Sequence, residues 1–104
     1  MQTQGIMRKA DLVSKISEET GVNKVDVLVS LESFFKEVKD ALESGENVYI
    51  RGFGSFVVKK RAKKLGRNIK KNEVIEIPAH YIPAFKPSKV FSEQVKLLKV
   101  EDEE

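Results

Sequence analysis

The side chains able to do acid–base, nucleophilic or metal chemistry are few and scattered. His80 is the single histidine, there is no cysteine, and the acids are spread along predicted helix faces or gathered in Glu101-Asp102-Glu103-Glu104. None of these has metal-ligand spacing, and none makes an obvious acid–base partner for His80. No catalytic residue, metal site or cofactor is therefore expected. What the sequence concentrates instead is positive charge. Between Glu46 and Glu73 there is no acid, while Arg51, Lys59, Lys60, Arg61, Lys63, Lys64, Arg67, Lys70 and Lys71 all lie there. The formal net charge is only +3, so the rest of the chain is net acidic. Charge segregated in this way indicates a local anionic partner: nucleic acid, an anionic membrane surface or an acidic protein.

The cations must be carried by something that stands away from the core. Read as strand, one parity of the run gives Lys59, Arg61, Lys63 and Leu65 and the other gives Lys60, Ala62, Lys64 and Gly66, so neither face is apolar enough to pack. Phe56-Val57-Val58 leads in and Glu73-Val74-Ile75-Glu76-Ile77 leads out, both strand-like. Gly66-Arg67-Asn68 supplies residues that tolerate positive φ. The pattern predicts a hairpin of two strands of about 10 residues reaching roughly 30 to 35 Å, a cationic ribbon projecting from a small body. A solvated, disordered segment is the plainer reading of a charge run, but apolar strand sequence on both flanks favours an ordered base with a mobile tip.

The body must then be small. A chain of 104 residues is one domain by length, and with the ribbon removed about 70 to 80 residues remain, a size at which oligomerisation often compensates for a thin core. Helical spacing of Leu12, Val13 and Ile16 predicts a helix from Lys9 to about Thr20, stopped by Gly21. A second helix is capped by Asn23 with Asp26 three positions on, carries Val27, Leu28, Leu31, Phe34, Phe35, Val38, Ala41 and Leu42 at i, i+3, i+4 spacing, and ends at Gly45. Its apolar stripe is wider than one short helix covers, which predicts a partner subunit.

Asn47-Val48-Tyr49-Ile50-Arg51 reads as a strand, Gly52-Phe53-Gly54 as a tight connection that sends Phe53 and Phe56 to the core, and Ser55 to Val58 as the strand entering the ribbon. The glycines do not complete a GxGxxG motif and no helix follows, so a nucleotide loop is not expected. Pro78 is tolerable on a two-stranded ribbon. Pro83-Ala84-Phe85-Lys86-Pro87 ends the extended part, and Ser88 caps a last helix with Val90, Phe91, Val95 and Leu98 on its apolar side. No run approaches the about 18 apolar residues of a membrane span, and Met1 to Gly5 lacks the apolar region of a secretory signal, so a cytoplasmic protein without a membrane partner is expected.

Taken together, Ile50-Arg51-Gly52-Phe53-Gly54-Ser55-Phe56, Gly66-Arg67-Asn68, Ile77-Pro78-Ala79 and Ile82-Pro83-Ala84-Phe85-Lys86-Pro87 resemble the signature of the bacterial HU and integration host factor family of DNA-bending proteins. The resemblance runs without gaps from about Met7 to Leu97. It implies an α+β fold and an intertwined dimer, with a helical base, a β-sheet saddle and two protruding β-ribbon arms that reach round duplex DNA in the minor groove. It divides the chain into a flexible N-terminal extension (residues 1–6), a DNA-binding domain (7–98, with the arm at about 57–80) and an acidic tail (99–104).

Carried over by position, the resemblance places Lys59, Arg61, Lys63, Lys64, Arg67, Asn68, Lys70 and Lys71 against the phosphates or in the groove. Arg51, Gly52 and Gly54 would meet the backbone at the flank of the body, as would Lys9, Lys86 and Lys89. The family's tip reads Gly-Arg-Asn-Pro, and here Ile69 holds the proline position while Asn72 replaces a glycine. Ile is among the apolar residues that wedge base steps, so Ile69 inherits that expectation. The function implied is architectural, non-enzymatic DNA binding in the nucleoid, as a homodimer or with a related subunit, with weak or shape-based sequence preference. Ile69 and the acidic tail also allow a coating or bridging protein that bends little, and the basic ribbon alone allows a module for RNA or acidic protein.

Overall fold

The computed structural model describes residues 5–100. Most of the N-terminal extension and the four acidic residues of the tail, at 1–4 and 101–104, lie outside the described residues. The order of elements is α1 (Lys9–Thr20), α2 (Lys24–Glu43), β1 (Val48–Ile50), β2 (Gly54–Arg61), β3 (Lys64–Asn68), β4 (Glu73–Ile77), β5 (His80–Pro87) and α3 (Lys89–Lys96). One compact unit ends at Lys39 and a second begins at Asp40.

In the first unit the helix ends fall where the sequence puts its stops. The Asp11 carboxylate accepts the Arg8 N–H at 3.0 Å, satisfying a donor that the helix leaves open. Gly21 closes α1 at φ 80° and donates to Ser17 O at 2.9 Å, a left-handed position that costs glycine nothing. Asn23 Oδ1 accepts the Asp26 N–H at 3.0 Å and its amide reaches the Asp26 carboxylate at 3.2 Å, so α2 starts on the expected cap. Val13 and Val27, each 6% exposed, are the buried apolar side chains among the described residues. The rest of the α2 stripe is only partly covered: Leu28, Leu31, Val38, Ala41 and Leu42 are half-buried, and Phe34 and Phe35 meet edge to face at 5.7 Å yet remain 40% exposed.

The second unit is a three-stranded antiparallel sheet, ordered β1-β2-β5, with a two-stranded ribbon of β3 and β4 and the helix α3. Its nucleus is aromatic. Phe53 lies 5.1 Å from Phe85 and 5.3 Å from Phe91, and Phe56 lies 5.0 Å from Phe85, its partner across the strands. Gly54 makes this possible: a Cβ there would stand 2.5 Å from Lys86 O and 2.7 Å from the Phe85 ring. Ser88 fastens the start of α3 to the turn after β1, accepting the Phe91 N–H through Oγ at 3.1 Å, donating from Oγ to Gly52 O at 3.1 Å and from N to Phe53 O at 2.9 Å.

Four expectations need correction. The glycine-containing turn is not at Gly66-Arg67-Asn68, which is strand; the chain reverses at residues 69–72, where Asn72 takes the positive φ of 55°. The ribbon is not a continuous ladder, because pairing stops at Ala62-Lys63 and at Pro78-Ala79, where Pro78 has no N–H to give. Phe53 belongs to the aromatic cluster but stays 41% exposed. Leu98 lies beyond α3, which ends at Lys96.

Two consequences can be measured. Gly54→Ala forces a methyl onto a carbonyl and a ring at a φ that side chains avoid, and should lower stability by about 3 kcal/mol in urea unfolding at fixed protein concentration. With the α2 stripe only partly covered and Phe34 and Phe35 exposed, the folded species should melt at a temperature that rises with protein concentration. A well-folded monomer in sedimentation at micromolar concentration would contradict the second expectation.

Candidate nucleic-acid interface

Backbone register, with no help from burial, places the cations of the ribbon. Lys59, Lys60 and Arg61 form the outer end of β2, opposite Ile82, Tyr81 and His80. Beyond the gap the ladder resumes with Lys64 opposite Ile77 and Arg67 opposite Val74. Two residues intervene on each strand, so the alternation of faces carries through. Lys59, Arg61 and Arg67 thus share one face with His80, and Lys60, Lys64 and Asn68 share the other with Tyr81.

All eight lysines and arginines from Lys59 to Lys71 are exposed. The two strands are only about 4.8 Å apart, so these charges repel one another within a Debye length of about 8 Å. An anion relieves that repulsion. A ribbon charged on both faces cannot engage all its cations on one flat surface; it suits a groove with anionic walls on either side.

Of the ribbon's cations, Lys63 has an ion-pair partner on the ribbon itself. Its Nζ lies 2.9 Å from Glu76 Oε2, both side chains being more than half exposed. Such a pair is worth at most about 1 kcal/mol, so a phosphate can compete for the lysine. His80 Nδ1 lies 2.9 Å from Pro78 O, a contact in which the carbonyl accepts when Nδ1 carries the proton. At the far end Ile69 is 86% exposed, flanked by Arg67 and Asn68 before it and Lys70 and Lys71 after it.

A second group gathers at the foot of β5. Gly52, at φ 79°, turns the chain beside the exposed Arg51, and the Phe53 N–H closes that turn on Ile50 O at 3.0 Å. Because Ser88 bonds to Gly52 and Phe53, it carries Lys86 and Lys89 to the same turn. The structure therefore brings Arg51, Gly52, Gly54, Lys86 and Lys89 together. Lys9 stands in the first unit, 2.6 Å from Glu32 Oε2.

Three participants escape a reading of the sequence. Glu76 is invisible as the partner of Lys63 until the register is known. Ser88 is legible as a cap but not as the tie to Gly52. Asn72 had a signal, since asparagine after two lysines is a candidate for positive φ, but Gly66 drew the turn towards itself. Among the described residues no helix is long and apolar enough to cross a membrane, and no cluster of His, Cys, Asp or Glu is placed to hold a metal ion.

Comparison with known proteins finds one family model, described as bacterial DNA-binding protein, matching residues 7–96. The SPbeta prophage-derived DNA-binding protein HU 2 of Bacillus subtilis is 46% identical over 90 residues, 86% of this chain and 98% of that protein. Integration host factor subunit alpha of Aliivibrio fischeri is 41% identical over 95 residues, covering 91% and 97%. Among solved structures, an Anabaena HU–DNA cocrystal structure superposes with a TM-score of 0.82 at 39% identity, over 86% of this chain and 97% of that one.

Proposed function

From the premise that the chain belongs to the bacterial DNA-binding protein family of HU and integration host factor, we propose that it is an architectural, non-enzymatic DNA-binding protein of the nucleoid. It acts as a dimer, of identical chains or with a related subunit, and bends or compacts duplex DNA. The observation that carries this reading is the ribbon itself: exposed cations on both faces, ending in an exposed Ile69.

The steps follow from the residues. Lys59, Arg61, Lys64, Arg67, Lys70 and Lys71 neutralise phosphates on the two walls of the minor groove and release their counterions, with Lys63 joining once it leaves Glu76. Arg51, Lys86, Lys89 and the backbone at Gly52 and Gly54 take the phosphates that a bent duplex brings to the body, and Lys9 adds a contact from α1. Phosphate contacts position without reading sequence, and the minor-groove edge code is degenerate, so preference follows DNA shape and deformability. HU and integration host factor are themselves standard examples of minor-groove binders that insert an apolar wedge, so that energetic scheme enters here through the family. Ile69 is the apolar group placed to wedge a step, with Asn68 beside it.

A second reading keeps the fold and removes the bend. Ile69 stands where the family pattern has proline, and without a wedge the same cations would coat or bridge duplexes. The two readings separate cleanly. In both, log affinity falls linearly with log salt, and Arg61→Ala with Lys64→Ala flattens the slope by about one unit per lost contact; the bend is what differs. If the first holds, Ile69→Ala should straighten a short duplex in end-to-end energy transfer and weaken binding on the order of ten- to thirtyfold, as about 2 kcal/mol of apolar contact is lost, while leaving the salt slope intact. A duplex left straight by the wild-type protein, with binding unaffected by Ile69→Ala, would favour coating, and a salt-insensitive affinity would exclude the ribbon as the binding element.

A further inference from the structure

The reversal at residues 69–72 is held by side chains rather than by a ring. Asn68 is the last residue of β3, paired with Glu73, and its Oδ1 reaches past Ile69 to accept the N–H groups of Lys70 at 3.1 Å and Lys71 at 3.3 Å. On the other side Asn72 takes φ 55°, the one positive φ outside glycine among the described residues, and its Oδ1 accepts from Arg67 Nη1 at 3.3 Å.

Each asparagine supplies something that few residues can. A short side-chain carbonyl is what lets Asn68 satisfy two N–H groups a step or two ahead. Asparagine is also among the few non-glycine residues that enter the left-handed region readily. With the backbone before Ile69 fixed by the Asn68–Glu73 pair and the backbone after it fixed by Asn68 Oδ1, the Ile69 Cα has little freedom, and its side chain is left facing solvent.

We propose that Asn68 and Asn72 are positioning residues that present Ile69 as the projecting point of the ribbon before DNA arrives, and that Asn72 at the same time holds Arg67 beside it. This rests on the reading of Ile69 as a wedge. In the pattern this chain resembles, a proline occupies the wedge position and fixes its own φ. Isoleucine has no such ring. Here the neighbours do the fixing, so the ordering needed to insert the side chain is complete before binding. The bonds all lie within residues 67–72, local to the tip.

The test is a double-mutant cycle on the full chain with Asn68→Ala and Ile69→Ala, read as bend and affinity on a short duplex, together with amide exchange of the free protein. In the free protein Asn68→Ala should speed exchange of the Lys70 and Lys71 amides about fivefold, and Asn68→Asp, which keeps the acceptor, should restore them. On DNA, Asn68→Ala should lower bend and affinity, leave the salt slope unchanged, and have no further effect once Ile69 is alanine. Asn72→Gly keeps the left-handed backbone and should retain most of the bend, whereas Asn72→Ala should lose it. If the effects of Asn68→Ala and Ile69→Ala are additive, Asn68 touches DNA on its own account and the positioning role is wrong. Amides that exchange equally fast in wild type and Asn68→Ala, with a duplex that still bends, would overturn the positioning role alone. Slow amides with a duplex that stays straight would overturn the wedge and the positioning role together.

Discussion

The pairing of β2 with β5, set where Phe56 meets Phe85 and Gly54 admits the Phe85 ring, fixes the register of every residue out to the tip. The β3–β4 ladder continues the same register. A shift of one residue would exchange the two faces of the ribbon, move Phe56 off Phe85 and drive a side chain into the space that Gly54 leaves open. An aromatic contact at the base thereby decides which cations share a face at the far end. It also decides that Lys63 meets Glu76 and that the reversal falls at residues 69–72.

The ribbon has little else to hold it. Ile77 and Gly66 are half-buried, whereas Leu65, Val74 and Ile75 stay exposed, so the outer ladder gains little from burial and the cations oppose one another. The break at Pro78 divides it further, with His80 bonding to Pro78 O and Lys63 to Glu76 near the gap. A structure of this kind is stable at its foot and loose towards its end, and the hydrogen bonds of Asn68 and Asn72 matter because they hold the reversal beyond the last strand pair, Asn68 with Glu73. The body shows the same economy. Its aromatic cluster organises the sheet, but the stripe on α2 is only partly covered, with Phe34 and Phe35 exposed, and a second subunit is the natural cover.

Much of this was legible in the sequence because it is local. Gly21, Asn23 and Gly45 mark helix ends through their own backbone preferences, and Ser88 marks the start of α3 in the same way. The cationic run declared itself by having no acids. What stayed hidden depends on pairing between distant residues. Gly66 looks like a turn residue when read alone; it is strand because the register set far away puts it opposite Ile75, where a Cβ would come 3.4 Å from Ile77 Cδ1. Glu76 and Asn72 acquire partners only once the strands are aligned. The ordered series of short motifs identified the family, a conclusion that neither charge nor periodicity reaches.

The central claim is that the ribbon tips lie in the minor groove of a duplex, and a chain without cysteine offers a direct measurement. Lys70→Cys places a single thiol beside Ile69, to which an iron chelate that generates hydroxyl radicals can be attached. Minor-groove attack should cut the two strands in clusters staggered towards their 3′ ends, two clusters for each bound dimer. Clusters staggered towards the 5′ ends would place the tips in the major groove, and diffuse cutting along the duplex would mean that the tips have no fixed place on DNA; either result contradicts the account.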